Sequence, residues 1–206
     1  MVIEPKNIGF IHIPKCGGAS INLQLANFFN KRVVLADRNH PFIIQYVTPA
    51  NTLHVYPHFT YDEAWTQFPN IRYVTQVRNP LDRWESLYKH YYQRNSIKTW
   101  DIETWTENAM ESLKNGCLYG IFENKIQYEH RSAFRDQSKM FLPAWMYYRQ
   151  PEVEVHKLEE NTIWKALDIP PCHFHKSRTV LIDYDREKVK NLIYDYYKKD
   201  FEYYGG

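Results

Sequence analysis

Residues 8–13 (IGFIHI) form a short apolar run that stops at Pro14 and gives way to the glycine pair of PKCGG. From Ala19 to Asn30 the chain then carries Ile21, Leu23, Leu25, Ala26 and Phe28. An apolar run closed by a turn signal reads as a buried strand, and the residues after the turn have helical spacing. Strand, tight turn and helix in this order are the opening half of a βαβ unit, which few folds accommodate. The alternation continues downstream. Residues 32–36 and 52–56 are further strand candidates, and Thr60 to Phe68 reads as a helix with Thr60 as N-cap and Asp62 and Glu63 in its first turn. Residues 71–77 (IRYVTQV) are a β-branched run, broken at Asn79-Pro80. A long amphipathic helix from Leu81 to about Arg94 follows, with Trp84, Leu87, Tyr88 and Tyr91 on one face. The stretch from about 100 to 150 is helical in pattern. Residues 153–158 add a strand, Glu159 to Leu167 a helix, and the last helix starts near Asp185 with Val189, Leu192, Ile193 and Tyr196. Strands alternating with helices predict an α/β fold: a P-loop-like three-layer α/β/α arrangement with a mainly parallel central sheet.

At 206 residues the chain is expected to be a single domain, 1–206, long enough to bury a real core. Its 44% hydrophobic and 24% charged residues exclude a disordered chain. A formal net charge of +2 supplies no broad field for nucleic acid or an anionic membrane, so any bound anion must be held by a local site. Cys16, Cys117 and Cys172 are odd in number and unpaired in spacing, which argues against a disulfide framework. Glu4 and Pro5 interrupt the N-terminus before any apolar run, and no stretch approaches the roughly 20 apolar residues of a membrane span. A cytoplasmic location is the resulting expectation. No metal is expected either. His54 and His58 are separated by Pro57, and Cys172-His173-Phe174-His175 lacks a C-x-x-C partner.

The segment His12 to Ile21 (HIPKCGGASI) has the composition of an anion cradle. A tight turn entering a helix aims backbone N–H groups and partial positive charge at one spot. Gly17 and Gly18 permit close approach, Lys15 brings a full charge, and Ser20 a hydroxyl. Two glycines also make an ordinary tight connection, and the turn alone does not decide between these readings. It is not a Walker A loop, because Lys15 precedes the glycines instead of following them. A second anion site is a candidate in Tyr73 to Tyr88 (YVTQVRNPLDRWESLY), where Arg78 ends a strand and Ser86 lies on the next helix. A guanidinium offers a phosphate a forked, charge-assisted contact.

Together PKCGGAS and RNPLDRWESLY resemble the sulfotransferases that use 3′-phosphoadenosine 5′-phosphosulfate (PAPS). The likeness is to the carbohydrate branch related to the heparan sulfate and uronyl 2-O-sulfotransferases. VEVHKLEEN and the C-terminal YDYYKKDFEYYG are similar to that family's later segments. The resemblance implies that Lys15, Cys16, Gly17, Gly18, Ala19 and Ser20 line the 5′-phosphosulfate, with Arg78 and Ser86 on the 3′-phosphate. It also implies a PAPS co-substrate without a metal, and a hydroxyl acceptor on a glycan or small molecule. Cys16 stands where the family pattern has Thr, so one hydroxyl contact is absent.

Transfer to a hydroxyl needs a base that works near neutral pH, which favours His or a carboxylate of raised pKa. No Asp or Glu lies between Pro14 and Asn30, where some sulfotransferases carry a glutamate. His58, in YPHFTYDE at the open end of the sheet, is the candidate general base. The 2-O-sulfotransferase branch has a histidine followed by an aromatic in that segment, although with Gly where this chain has Pro57. Lys15 is placed to stabilise the leaving phosphate oxygen. Arg83, one helical turn on, is left between phosphate contact and surface pairing. A P-loop nucleotide or small-molecule kinase, and a non-catalytic nucleotide- or glycan-binding module, stand as the alternatives.

Overall fold

In a computed structural model of the chain, the described residues are 2–3, 6–28, 44–48, 51–55, 58–93, 97, 99–116, 139–172 and 182–205. The strand candidate at 32–36, Cys117 with the helical pattern up to 138, and the end of the CHFH segment at 173–175 lie outside them. In chain order the elements are β1 (Val2–Ile3), β2 (Ile8–Ile11), α1 (Gly18–Phe28), β3 (Ile44–Thr48), β4 (Asn51–Val55), α2 (Tyr61–Gln67), β5 (Arg72–Val77), α3 (Pro80–Gln93), α4 (Ile102–Lys114), β6 (Val153–Lys157), α5 (Ile163–Leu167), α6 (Arg186–Tyr194) and α7 (Lys198–Tyr204). They fall into two compact units. One comprises Met1–Arg78 with Ala144–Ser177, the other Asn79–Pro143 with Arg178–Gly206.

The first unit holds one six-stranded sheet in the order β3-β4-β1-β2-β5-β6. Strands β2, β5 and β6 pair in parallel, with Phe10 opposite Val74 and Val74 opposite Glu154. The two-residue β1 is antiparallel to both β2 and β4, so β4 runs in the same direction as β2. Only β1 and the β3 arm of the β3–β4 hairpin run the other way. The carboxyl ends of β4, β2, β5 and β6 therefore share one edge of the sheet.

Alternation along the parallel strands sorts the helices into layers. Ile8, Phe10 and Val74 face Ile21 and Leu25 of α1 and Ile163, Trp164 and Leu167 of α5 in one buried cluster. Tyr73, on the opposite face, meets Tyr61 of α2 edge-on at 5.3 Å and donates its hydroxyl to Phe68 O at 2.8 Å. The α/β class and its three layers hold within this unit. Helix α2 starts where the sequence places it, for a visible reason: Thr60 and Glu63 close a reciprocal capping box. The helix expected over 159–167 is interrupted instead. A 3-10 turn covers Leu158–Glu160, Asn161 adopts a left-handed φ of 57°, and α5 starts only at Ile163. Asn tolerates that conformation better than most residues, so the chain turns there.

The second unit is helical and aromatic. Helix α3 is capped by Asn79, whose Oδ1 accepts from Leu81 N–H at 3.0 Å, with Pro80 at the first helical position. It buries Leu81, Trp84, Leu87, Tyr88 and Tyr91, the spacing read from the sequence. Trp84 donates to Thr106 Oγ1 at 2.8 Å, and Tyr197 donates to Phe141 O at 2.6 Å inside the same core. The expected last helix divides into α6 and α7 with Tyr196 in the turn between them. Among the described residues, no helix is long and apolar enough to cross a membrane.

Gly9 shows how closely the sheet packs, since a Cβ there would lie 2.4 Å from Tyr73 Cε1. Gly9→Ala is expected to destabilise the protein by about 1–3 kcal/mol through overpacking, measured as a lower denaturant midpoint at unchanged slope.

Candidate functional site

The site grows from the way the chain leaves β2. Cys16 N–H donates back to Ile13 O at 3.3 Å, closing a turn with Pro14 at its first corner and Lys15 at its second. Lys15 has a φ of 64°, the left-handed value that a type II turn demands of its second corner and usually fills with glycine. A lysine there costs about 1–2 kcal/mol, and such strain collects at functional positions. Gly17 follows with a φ of 78°.

Both glycines are dictated by close neighbours. A Cβ on Gly17 would lie 2.8 Å from Gln76 Nε2, and one on Gly18 would lie 2.0 Å from His12 Cδ2. Gln76, only 2% exposed, donates through Nε2 to Cys16 O at 2.7 Å. The side chain from β5 thus anchors the turn from below, and Leu158, just beyond β6, flanks Gly17.

Helix α1 begins at Gly18 with no acidic residue in its first turn. The N–H groups of Ser20 and Ile21 both bond Gly17 O, at 3.1 and 3.4 Å. Among the described residues, the N–H groups of Gly17, Gly18 and Ala19 have no hydrogen-bond acceptor. An uncompensated helix N-terminus carries partial positive charge, so this is a cradle with donors for a negatively charged group.

The remaining candidates separate by position. Lys15, Gly17 and Ser20 are half-buried, Gly18 is buried and Ala19 exposed. Cys16 is 1% exposed with its N–H and carbonyl both committed, so it anchors the turn and presents no backbone donor to a ligand. His58, just before α2, adopts a left-handed φ of 54° and comes to the turn from β4. Its ring centroid lies 4.8 Å from that of His12, and its Nδ1 lies 3.3 Å from His12 O. The structure therefore brings the candidate base against His12, whose ring in turn borders Gly18. Arg78 follows β5 directly and is half-buried. Among the described residues its guanidinium has no hydrogen-bond or ion-pair partner, and strands β2 and β5 deliver the PKCGG turn and Arg78 to the same sheet edge. Ser86 is a half-buried residue of α3 in the second unit. Arg83 is 4% exposed, with Nη2 donating to Met140 O at 3.3 Å and its guanidinium 5.9 Å from the Tyr197 ring. Its place is inside the second unit's core.

Sequence reasoning passed over His12, Asn22 and Gln76. Gln76 had a signal: an amide inside a run of buried strand residues needs a partner. His12 had a weaker one, a titratable residue at the carboxyl end of the strand that opens the turn. Its ring is enclosed by Phe10, Gly18 and His58, while Asn22 Nδ2 approaches its Nδ1 at 3.4 Å. Burial first, and then the nearby charges of His58 and Lys15, hold the His12 pKa well below its ordinary 6.5. No family model matches the chain, and neither does any curated protein or solved structure.

The depressed pKa has a signed consequence. Well above pH 6.5 His12 is neutral in both folded and unfolded chains and contributes no pH dependence. Below it the unfolded chain takes up a proton that the native ring refuses, so stability falls with pH until the native pKa is reached. Thermal midpoints between pH 7.5 and 5 are expected to drop more steeply for the native chain than for His12→Gln. Equal slopes would contradict a His12 that stays neutral in the folded chain.

Proposed function

We propose that the chain is a PAPS-dependent sulfotransferase that moves a sulfuryl group to an acceptor hydroxyl, with a carbohydrate as the acceptor class. The observation that carries the reading is the cradle itself. Three adjacent N–H donors at the start of α1, Lys15 at a strained corner and His58 against His12 follow strands that end at one sheet edge. The resemblance of PKCGGAS and RNPLDRWESLY to the PAPS-binding motifs supplies the identity of the anion.

The residues fit that co-substrate in chemistry. The Gly17, Gly18 and Ala19 N–H groups and the Ser20 hydroxyl suit the oxygens of a phosphosulfate. Arg78 suits the 3′-phosphate, for which a guanidinium is a forked partner. His58 accepts the proton of the acceptor hydroxyl as its oxygen attacks sulfur. The bond between sulfur and the bridging oxygen breaks, and that oxygen leaves on the 5′-phosphate. Lys15 offsets the negative charge gathering there. The products are a sulfate ester and 3′-phosphoadenosine 5′-phosphate, and the proton rests on His58 until solvent removes it. Positioning and electrostatics supply most of the rate in a transfer of this kind.

A phosphoryl-transfer reading is less well supported. A Walker-type lysine follows the glycines into the first turn of the helix, whereas Lys15 sits ahead of both glycines at the corner of the Ile13–Cys16 turn.

The test is sulfuryl transfer from labelled PAPS to a panel of hydroxyl acceptors: oligosaccharides, uronic acid glycosides and small alcohols. His58→Ala is expected to lose about 10²–10⁴-fold in turnover while holding 3′-phosphoadenosine 5′-phosphate as tightly as the parent chain. Near-normal turnover in His58→Ala would remove it as the base. Nucleotide binding with no transfer to any acceptor would favour the non-catalytic module.

A further inference from the structure

His12 touches the candidate base, and its main-chain carbonyl constrains where the proton of His58 sits. A carbonyl oxygen only accepts. At 3.3 Å from His12 O, the His58 Nδ1 must therefore be the donor, so in neutral His58 the proton is on Nδ1 and the lone pair on Nε2. On the other side, the Asn22 amide approaches Nδ1 of His12 at 3.4 Å and ties the ring to α1.

We propose that His12 is a positioning residue for His58: its main-chain carbonyl selects the tautomer that presents Nε2 as the base, and its ring, wedged on Gly18 and tied to Asn22, holds that carbonyl and the facing imidazole in place. The catalytic half of this statement rests on the sulfotransferase reading; the tautomer half does not.

The packing supports the assignment. The Gly18 position leaves no room for a Cβ against the His12 ring, so the ring and the first turn of α1 are fixed relative to one another. Phe10 stacks from the strand side at 6.2 Å, and the His58 ring lies tilted by 52° across the other. The charged and titratable groups that act on His12 within the described residues are His58 and Lys15, while α1 offers the neutral Asn22 and β2 the apolar Phe10. Desolvation and the Lys15 charge favour the neutral form of His12. When His58 takes a proton, its Nδ1–H remains on the same carbonyl, so the ring need not turn between the two protonation states.

The inference is tested on the full chain by nitrogen-15 correlation spectra of labelled histidine, assigned with His12→Ala and His58→Ala, alongside steady-state kinetics. Native protein above pH 7 is expected to show His58 protonated at Nδ1. In His12→Ala and in Asn22→Ala, His58 should relax toward a tautomer mixture. Turnover in these variants should fall by roughly 10- to 100-fold with KM for PAPS within about twofold. Asn22→Ala keeps both imidazoles in the chain and serves if His12→Ala does not fold. His58 protonated at Nε2, or a loss confined to KM, would overturn the proposal. If 3′-phosphoadenosine 5′-phosphate fails to bind the native chain while His58 shows the Nδ1–H form, the sulfotransferase reading falls and the positioning geometry stands.

Discussion

A buried amide holds the candidate site together. Gln76 sits in the middle strand of the parallel trio and spends its Nε2 on Cys16 O, at 2.7 Å and out of water. Removing that donor would strand a buried carbonyl, at a cost of about 1–3 kcal/mol. The same contact sets the height of the PKCGG turn above the sheet. Because the Gln76 amide and the His12 ring already fill the space beside Gly17 and Gly18, neither residue can carry a side chain. Lys15 takes the left-handed corner of the same turn, and α1 starts just beyond it with its first N–H groups lacking an acceptor among the described residues. The strain at Lys15 and the open donors at the head of α1 are thus two results of one anchored turn.

Strand direction does the rest. β4, β2, β5 and β6 run the same way, so the segments after them emerge along one edge. His58, the PKCGG turn, Arg78 and Leu158 are those segments. Ligand sites in open α/β sheets gather at the carboxyl ends of strands for this reason. The antiparallel β1 does not spoil the pattern. Two residues long, it reverses direction twice between β2 and β4 and restores the common polarity.

Much of this was legible in the residues, and the failures have physical causes. The Thr60–Glu63 capping box, the Asn79-Pro80 helix start and the buried face of α3 follow from local rules that need no tertiary partner. The glycine pair announced a tight turn at 17–18. Its depth, however, depends on Gln76 and His12, which approach from the sheet and from the preceding strand end, so spacing along the chain could not show it. His58 was reached by placing it at the end of a strand. What it faces was not legible, because His12 lies 46 residues earlier and meets it only when β4 and β2 share a direction. Strand β1 has too few residues for any periodicity, and the left-handed Asn161 splits a segment whose apolar spacing alone reads as continuous helix. Arg83, left by the sequence between phosphate contact and surface pairing, is instead enclosed beside Tyr197, a burial that only the packing of α3 with its unit reveals.

The central claim is that the turn at the head of α1 is an anion site built for a nucleotide bisphosphate and not for a metal-bound triphosphate. Calorimetric titration with 3′-phosphoadenosine 5′-phosphate, beside ATP with and without magnesium, addresses it most directly. The account predicts saturable binding of the bisphosphate that is indifferent to magnesium and lost in Arg78→Ala. Binding of ATP in preference, dependent on magnesium, or no binding of either nucleotide, would contradict it.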